Sequence, residues 1–241
     1  MKKYKSILLS AFSLLLATLV SAQTADEVIA NYINAIGGKD RISTVTSVYT
    51  EGSIEVMGGT GVIKTTLVNG KGFKQEIDVM GTQVIMCYTE SMGWQINPMA
   101  GNYGAEDMPE GQYMSGRDNI IAGGPFVTDY ITKGYKVDLD GQETVVGVNA
   151  WKVKVTSPDN SEAVYYFDPS NWYLIKVIQK AEMMGQPMDI SVLFSNYQQI
   201  ENGYALPFTT ETDYGGQFFL TAKLNKVEFN QPVDPAVFEK P

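Results

Sequence analysis

The stretch Gly72–Thr89, GFKQEIDVMGTQVIMCYT, constrains the fold of this chain more than any other. Phe73, Gln75, Ile77 and Val79 share one face of a strand, and Lys74, Glu76 and Asp78 share the other. Met80-Gly81 then turns the chain back into Val84-Ile85-Met86-Cys87-Tyr88. The device recurs at Val56-Met57-Gly58-Gly59 and at Met183-Met184-Gly185, so three strands end with a methionine beside a turn glycine. Glycine supplies the positive φ of a tight hairpin. The methionines have two readings: they plug the core beneath each turn, or they form a soft apolar rim that repacks around varied partners.

The same period continues along the chain. Val48, Thr50, Gly52, Ile54 and Val56 share a face opposite Tyr49, Glu51, Ser53 and Glu55, and Gly61–Val68 leads to an Asn69-Gly70 hairpin dipeptide. Gly93-Trp94-Gln95-Ile96-Asn97 is a short strand closed by Pro98. Strands resume at Tyr135, with Asp140-Gly141 read as a turn, and continue through Trp151/Val153/Val155, Ala163/Tyr165/Phe167, Trp172–Ile178, Ile190–Tyr197 and Phe218–Phe229. Connections this short make neighbours antiparallel. Two segments break the pattern. Thr24-Ala25-Asp26-Glu27 is a capping box ahead of Val28, Ile29, Tyr32, Ile33 and Ile36, with Gly37-Gly38 ending an amphipathic helix. Pro98–Gly134 is rich in Gly and Pro; it predicts one short helix near Pro109 through Tyr113 and Met114. A second is predicted from Pro125, with Phe126, Val127, Tyr130 and Ile131 on one face. Such a segment between two sheet halves predicts a functional cover. Val237 and Phe238 are expected to pin the tail.

Residues 1–22 read as an export signal: Lys2, Lys3 and Lys5 precede the apolar run Ile7–Val20, and Val20-Ser21-Ala22 is a small-residue cleavage site. Removing them takes the formal charge from −9 to −12 and leaves 219 residues, 23–241, as a single domain. The expected location is the periplasm, in soluble form. This acidity argues against binding the phosphate backbone of nucleic acid and against electrostatic docking on a surface of anionic lipid headgroups, and no later apolar run is long enough to span a bilayer. With no histidine and one cysteine, Cys87, the chain cannot build a Ser-His-Asp triad, a Cys-His pair or a His- or thiolate-ligated metal site. No cofactor is expected. Asp138/Asp140 lacks the oxygen-rich loop of a calcium site. Glu106/Asp107 and Glu76/Asp78 have the residue types for acid–base work, yet nothing else converges on them, and they read as solvated charge.

Together these periods predict a β-dominated α+β fold: an antiparallel half-barrel with about three short helices covering its concave face. Such a shape encloses an apolar space or is filled by its own side chains. The candidate lining residues are Met57, Phe73, Ile77, Met80, Met86, Tyr88, Trp94, Phe126, Tyr130, Met183 and Met184.

Four phrases carry a family resemblance: ADEVIANYINAIGG, GWQINPMAG, YYFDPSNWYLIKV and the closing DPAVFEKP. Over essentially the whole mature chain they resemble the outer-membrane lipoprotein-sorting (LolA-like) proteins of Gram-negative bacteria, in particular the Bacteroidetes-type members. The resemblance implies an eleven-stranded half-barrel with a three-helix lid and a cavity for acyl chains. It also implies an arginine inside the barrel that holds the lid, for which only Arg41 and Arg117 remain after cleavage. The resulting expectation is a non-catalytic periplasmic carrier of a lipid, of lipoprotein acyl chains or of another apolar ligand, with an envelope protein as a further partner. The alternative is an exported interaction or sensor module with a filled core and no lipid cargo.

Overall fold

The computed structural model describes residues 23–183, 186–200 and 203–241. The leader and Met184 lie outside these residues, as does the side chain of Met183. Among the described residues all strands belong to one open antiparallel sheet of thirteen, ordered β6-β5-β4-β3-β2-β1-β13-β12-β11-β10-β9-β8-β7. The chain is a meander broken once. Strands β1 (Ser47–Val56), β2 (Gly59–Val68), β3 (Gly72–Val79), β4 (Thr82–Thr89), β5 (Gly93–Asn97) and β6 (Asn102–Asp107) walk outward to one edge. The chain then crosses to the opposite edge and walks back. That return uses β7 (Lys136–Val145), β8 (Val148–Thr156), β9 (Glu162–Phe167), β10 (Leu174–Met183), β11 (Gln186–Gln199), β12 (Ala205–Tyr214) and β13 (Phe219–Phe229), which pairs with β1.

The crossing explains the cover. To pass from β6 to β7 the chain must span the concave face, and residues 108–135 do so as α3 (Glu110–Gly116) and the 3-10 turns Arg117–Ile120 and Pro125–Val127. It is tied down by a few side chains. Asn69, at the β2–β3 turn, donates to the Val45 carbonyl at 3.0 Å and accepts from Ala122 N at 3.0 Å. The Tyr113 hydroxyl donates to the carbonyls of Thr89 (3.1 Å) and Glu90 (2.9 Å). Gly116 lies on the Tyr88 ring: a Cβ there would stand 2.3 Å from the ring, so only glycine lets α3 approach this closely.

Helix α1 (Ala25–Ala35) begins at the expected capping box, with Glu27 N donating to Thr24 Oγ1 at 3.2 Å and Thr24 N donating to Glu27 Oε2 at 2.9 Å. Its apolar stripe, Val28, Ile29, Tyr32 and Ile33, packs with Phe126, Val153, Phe167, Leu174 and Val177 into the largest cluster of the core. Complete burial of such side chains stabilises by about 1.5–3 kcal/mol each. A second short helix, α2 (Lys39–Ser43), follows. On the opposite face of the sheet the tail turn Pro235–Phe238 covers Ile85, Cys87 and Trp94.

Several expectations need correction. The sheet has thirteen strands where the resemblance implies eleven; Asn102–Asp107, inside the stretch that lacks alternation, is one of them. Pro125 opens a single 3-10 turn, and Ile131 is exposed beyond it. Asp140-Gly141 is no turn: a bulge between Leu139 and Gln142 absorbs the positive φ of Gly141, and Lys152 holds Asp140 (3.2 Å) and Glu143 (3.1 Å) across it. The hairpin closes at Val146-Gly147, with Val146 at φ 48°, a conformation that β-branched residues rarely adopt. The charges of β7 and of Glu106 and Asp107 on β6 fall on the two free edges, where they oppose pairing with other chains.

Candidate functional site

The concave face has two unlike ends. At one end lie the Asn69-Gly70 and Val146-Gly147 turns, and there the cluster around α1 fills the interior. The other end carries the Met57-Gly58, Met80-Gly81 and Gly215-Gly216 turns, and is called here the methionine rim.

Toward the methionine rim the register sets Val84, Ile77 and Ile63 abreast on β4, β3 and β2. On the far flank it sets Leu220, Thr212 and Val192 abreast on β13, β12 and β11. These side chains, with Met86 and Ile190, are only half-buried, and they belong to none of the packed clusters among the described residues. The two groups are not level with each other: Ile63 is abreast of Gly52 and Leu224, Leu220 is abreast of Val56, and buried Ile54 and Ala222 lie on the same face between them. Together they form a trough of apolar surface with no helix packed into it.

Beside the trough, between the cover and β8–β10, lies a cavity of about 260 Å³ that opens at the rim near Ser157 and Ser161. Met114, Arg117 and Asp118 of the cover form one wall; Tyr165 and Gln179 of the sheet form the other, with Tyr135 at the start of β7. The Tyr135 hydroxyl donates to the Asp118 carboxylate. Burial and then that bond raise the Tyr135 pKa above the usual phenol range. Burial, with a further push from Asp118, takes Tyr165 up to about 12. Both phenols therefore remain protonated donors at neutral pH. Arg117 donates to Met114 Sδ at 3.4 Å, and its Nε stands 3.9 Å from Asp118, too far for a hydrogen bond. A larger hollow, about 590 Å³, is a notch on the solvent side between α1 and α2 with exposed Ala30, Asn34, Lys39 and Asp40 on its walls, away from the concave face.

The residues singled out from sequence separate accordingly. Ile77 and Met86 lie in the trough. Phe73 and Tyr88 pair across strands 6.2 Å apart at its inner boundary, where Phe73 also joins the Val45/Leu67/Ala122 cluster. Met57 and Met80 stand at the rim, each 84% exposed, so they do not plug the core. Phe126 and Tyr130 belong to the filled end: their rings meet edge to face at 5.6 Å, and the Tyr130 hydroxyl donates to Asp26 of α1. Trp94 points away from the trough. It lies beneath the tail, donating from Nε1 to the Phe238 carbonyl at 2.8 Å. The carboxylate pairs are dispersed: Glu76 meets Lys74 (3.3 Å), Asp78 accepts from Gly81 N (3.1 Å), Asp107 meets Lys240 (2.9 Å) and Glu106 accepts from Gln95 (3.2 Å). No cluster suited to a metal ion occurs among the described residues. No sequence pattern singles out Asp118, Tyr135 or Gln179; the rarity of arginine in the chain, Arg41 and Arg117 alone, is the signal that points toward Arg117.

By sequence the chain matches no family model and no curated protein. By structure it is similar to a LolA superfamily protein from Nitrosomonas europaea (TM-score 0.60, 12% identity, 91% of this chain and 99% of that one). It is also similar to a domain described as an outer membrane lipoprotein-sorting protein from Vibrio parahaemolyticus (0.57, 14%, 90% and 96%). A DUF1329 family protein from Desulfovibrio piger is matched at 0.57 and 17% identity, over 88% and 97%. At these identities the likeness is one of fold. Among the described residues no helix is long and apolar enough to cross a membrane.

Proposed function

We propose that this is an exported, non-catalytic carrier, a Bacteroidetes-type relative of the lipoprotein-sorting proteins. It holds the acyl chain of a lipid or an acylated lipoprotein in the trough and works in the periplasm. The observation that carries the reading is the half-buried row Val84/Ile77/Ile63 with its counterpart Leu220/Val192, apolar, concave and not packed over. Burying about ten methylenes gains about 8 kcal/mol. Association costs at least about 4 kcal/mol of that, so the chain alone supports reversible binding, which suits a protein that must release its cargo. The exposed methionines of the rim suit contact with a donor or acceptor, since a thioether side chain adapts to varied surfaces. The same exposure supports the second reading, an interaction module whose rim captures an envelope protein.

Mass spectrometry of an organic extract from natively purified protein, against a delipidated control, separates the two. Stoichiometric acylated material is the expected result. A clean extract, together with failure to bind any fluorescent fatty acid, would leave the interaction module.

A further inference from the structure

The cavity beside the trough sets polar groups among apolar ones, where the trough is apolar. Arg117, on the cover, has a side chain only 30% exposed, and its single hydrogen bond to a described residue goes to a thioether, a weak acceptor. Asp118, the carboxylate next to it, already accepts from Tyr135. Glu162 at the cavity lip is held by Lys154 at 2.7 Å. Across the cavity, Gln179 of β10 makes no side-chain hydrogen bond to any other described residue. Two donors on facing walls thus have unused hydrogen-bonding capacity, and Arg117 shares only a loose ion pair, at 3.9 Å, with Asp118. Met114 lines the cavity from the same short helix whose Gly116 lies against Tyr88, the inner boundary of the trough. Cavity and trough are therefore neighbours across α3.

We propose that Arg117 and Gln179 form a head-group subsite for the anionic head of a single-chain amphiphile, a carboxylate or a phosphate ester, whose apolar chain runs into the trough. The proposal rests on the carrier reading and names the chemistry of its ligand. A partly desolvated guanidinium binds an anionic oxygen through short, charge-assisted hydrogen bonds. A cavity of about 260 Å³ has room for a head and the first part of a chain, while the chain end needs the trough.

The test is displacement of the neutral probe Nile red from wild-type protein by palmitate, palmitoyl lysophosphatidate and 1-palmitoylglycerol, which share one chain and differ in the head. The expected result is that at least one anionic ligand binds about tenfold or more tighter than the neutral glyceride. Which anion binds tighter distinguishes carboxylate from phosphate. Arg117→Met should abolish the preference, bringing the anionic ligands to the affinity of the glyceride, and Arg117→Lys should restore part of it. Gln179→Leu, on a sheet strand, is the second variant should Arg117→Met perturb the cover, and it should reduce the preference. Equal binding of all three ligands by the wild type would overturn the proposal, as would a preference that survives both substitutions. Absence of binding by Nile red and by every ligand would overturn the carrier reading itself, a distinct outcome.

Discussion

The two ends of the concave face are built from the same strands, yet one is a core and the other a trough. On β3 and β4, Phe73 and Tyr88 meet near the turn at Asn69 and are covered by the cluster around Ala122 and by Gly116. A few residues on, Ile77 and Val84 face each other in the same register and are only half-buried. Chemistry does not separate them, because both pairs are apolar. Topology does: α1 and the cover supply the missing wall at one end and leave the other without it. Apolar side chains in a sheet therefore mark a core only where another element lies over them.

The largest effect that should sharpen this contrast is at the filled end. Phe167 is fully buried, 5.3 Å ring to ring from Tyr32 of α1, so Phe167→Ala should cost about 3–5 kcal/mol in urea denaturation. A cost below about 1 kcal/mol would mean that this end is not a packed core. A second test is alkaline titration. Burial pushes the phenols of Tyr165 and Tyr204 up to about 12 from 10.0, and that of Tyr88 likewise. Because the folded pKa is the higher one, the folded state holds the proton more tightly. This contribution to stability is complete below pH 10 and disappears as pH rises through 12. The denaturation midpoint should accordingly be flat up to pH 10 and fall steeply above it, and a flat profile through pH 12 would contradict the burial.

At the open end the expectation reverses. Met86→Trp should occupy the trough, lowering acyl-chain affinity about tenfold while changing stability by less than about 1.5 kcal/mol. If it destabilised as strongly as a core substitution, the end would be filled after all. The smallest effect lies at the rim. Met57 and Met80 sit at φ 50° and 55°, ahead of Gly58 and Gly81, in turns that favour Asn or Asp. Met57→Asn and Met80→Asn should therefore stabilise by about 0.5 kcal/mol and slow ligand transfer to acceptor vesicles. Unchanged transfer would separate the rim from function.

Much of the sheet could be read from residue order because the period of two is local: each of the turns at Met80-Gly81, Asn69-Gly70 and Gly215-Gly216 carries its own glycine. Where reading failed, a distant residue decided the outcome. Trp94 alternates correctly, but the face it uses is settled by Phe238, 144 positions away, whose carbonyl takes its indole N–H. Val146-Gly147 closes a hairpin with a residue that turn chemistry disfavours, while the better-looking Asp140-Gly141 is absorbed by a bulge. Arg117 stood out only by its rarity. That it faces a cavity follows from the placement of the cover, which Asn69, Tyr113 and Gly116 fix through contacts far apart in sequence.

The most direct test of the two-ended interior is photo-crosslinking with a fatty acid that carries a diazirine near its chain end, mapped by peptide mass spectrometry. The account predicts labels in peptides spanning Ile77–Met86 and Ile190–Val192, and none in α1 or around Phe167. Labels concentrated at α1, or the absence of labelling under conditions where the fatty acid is in excess, would contradict it.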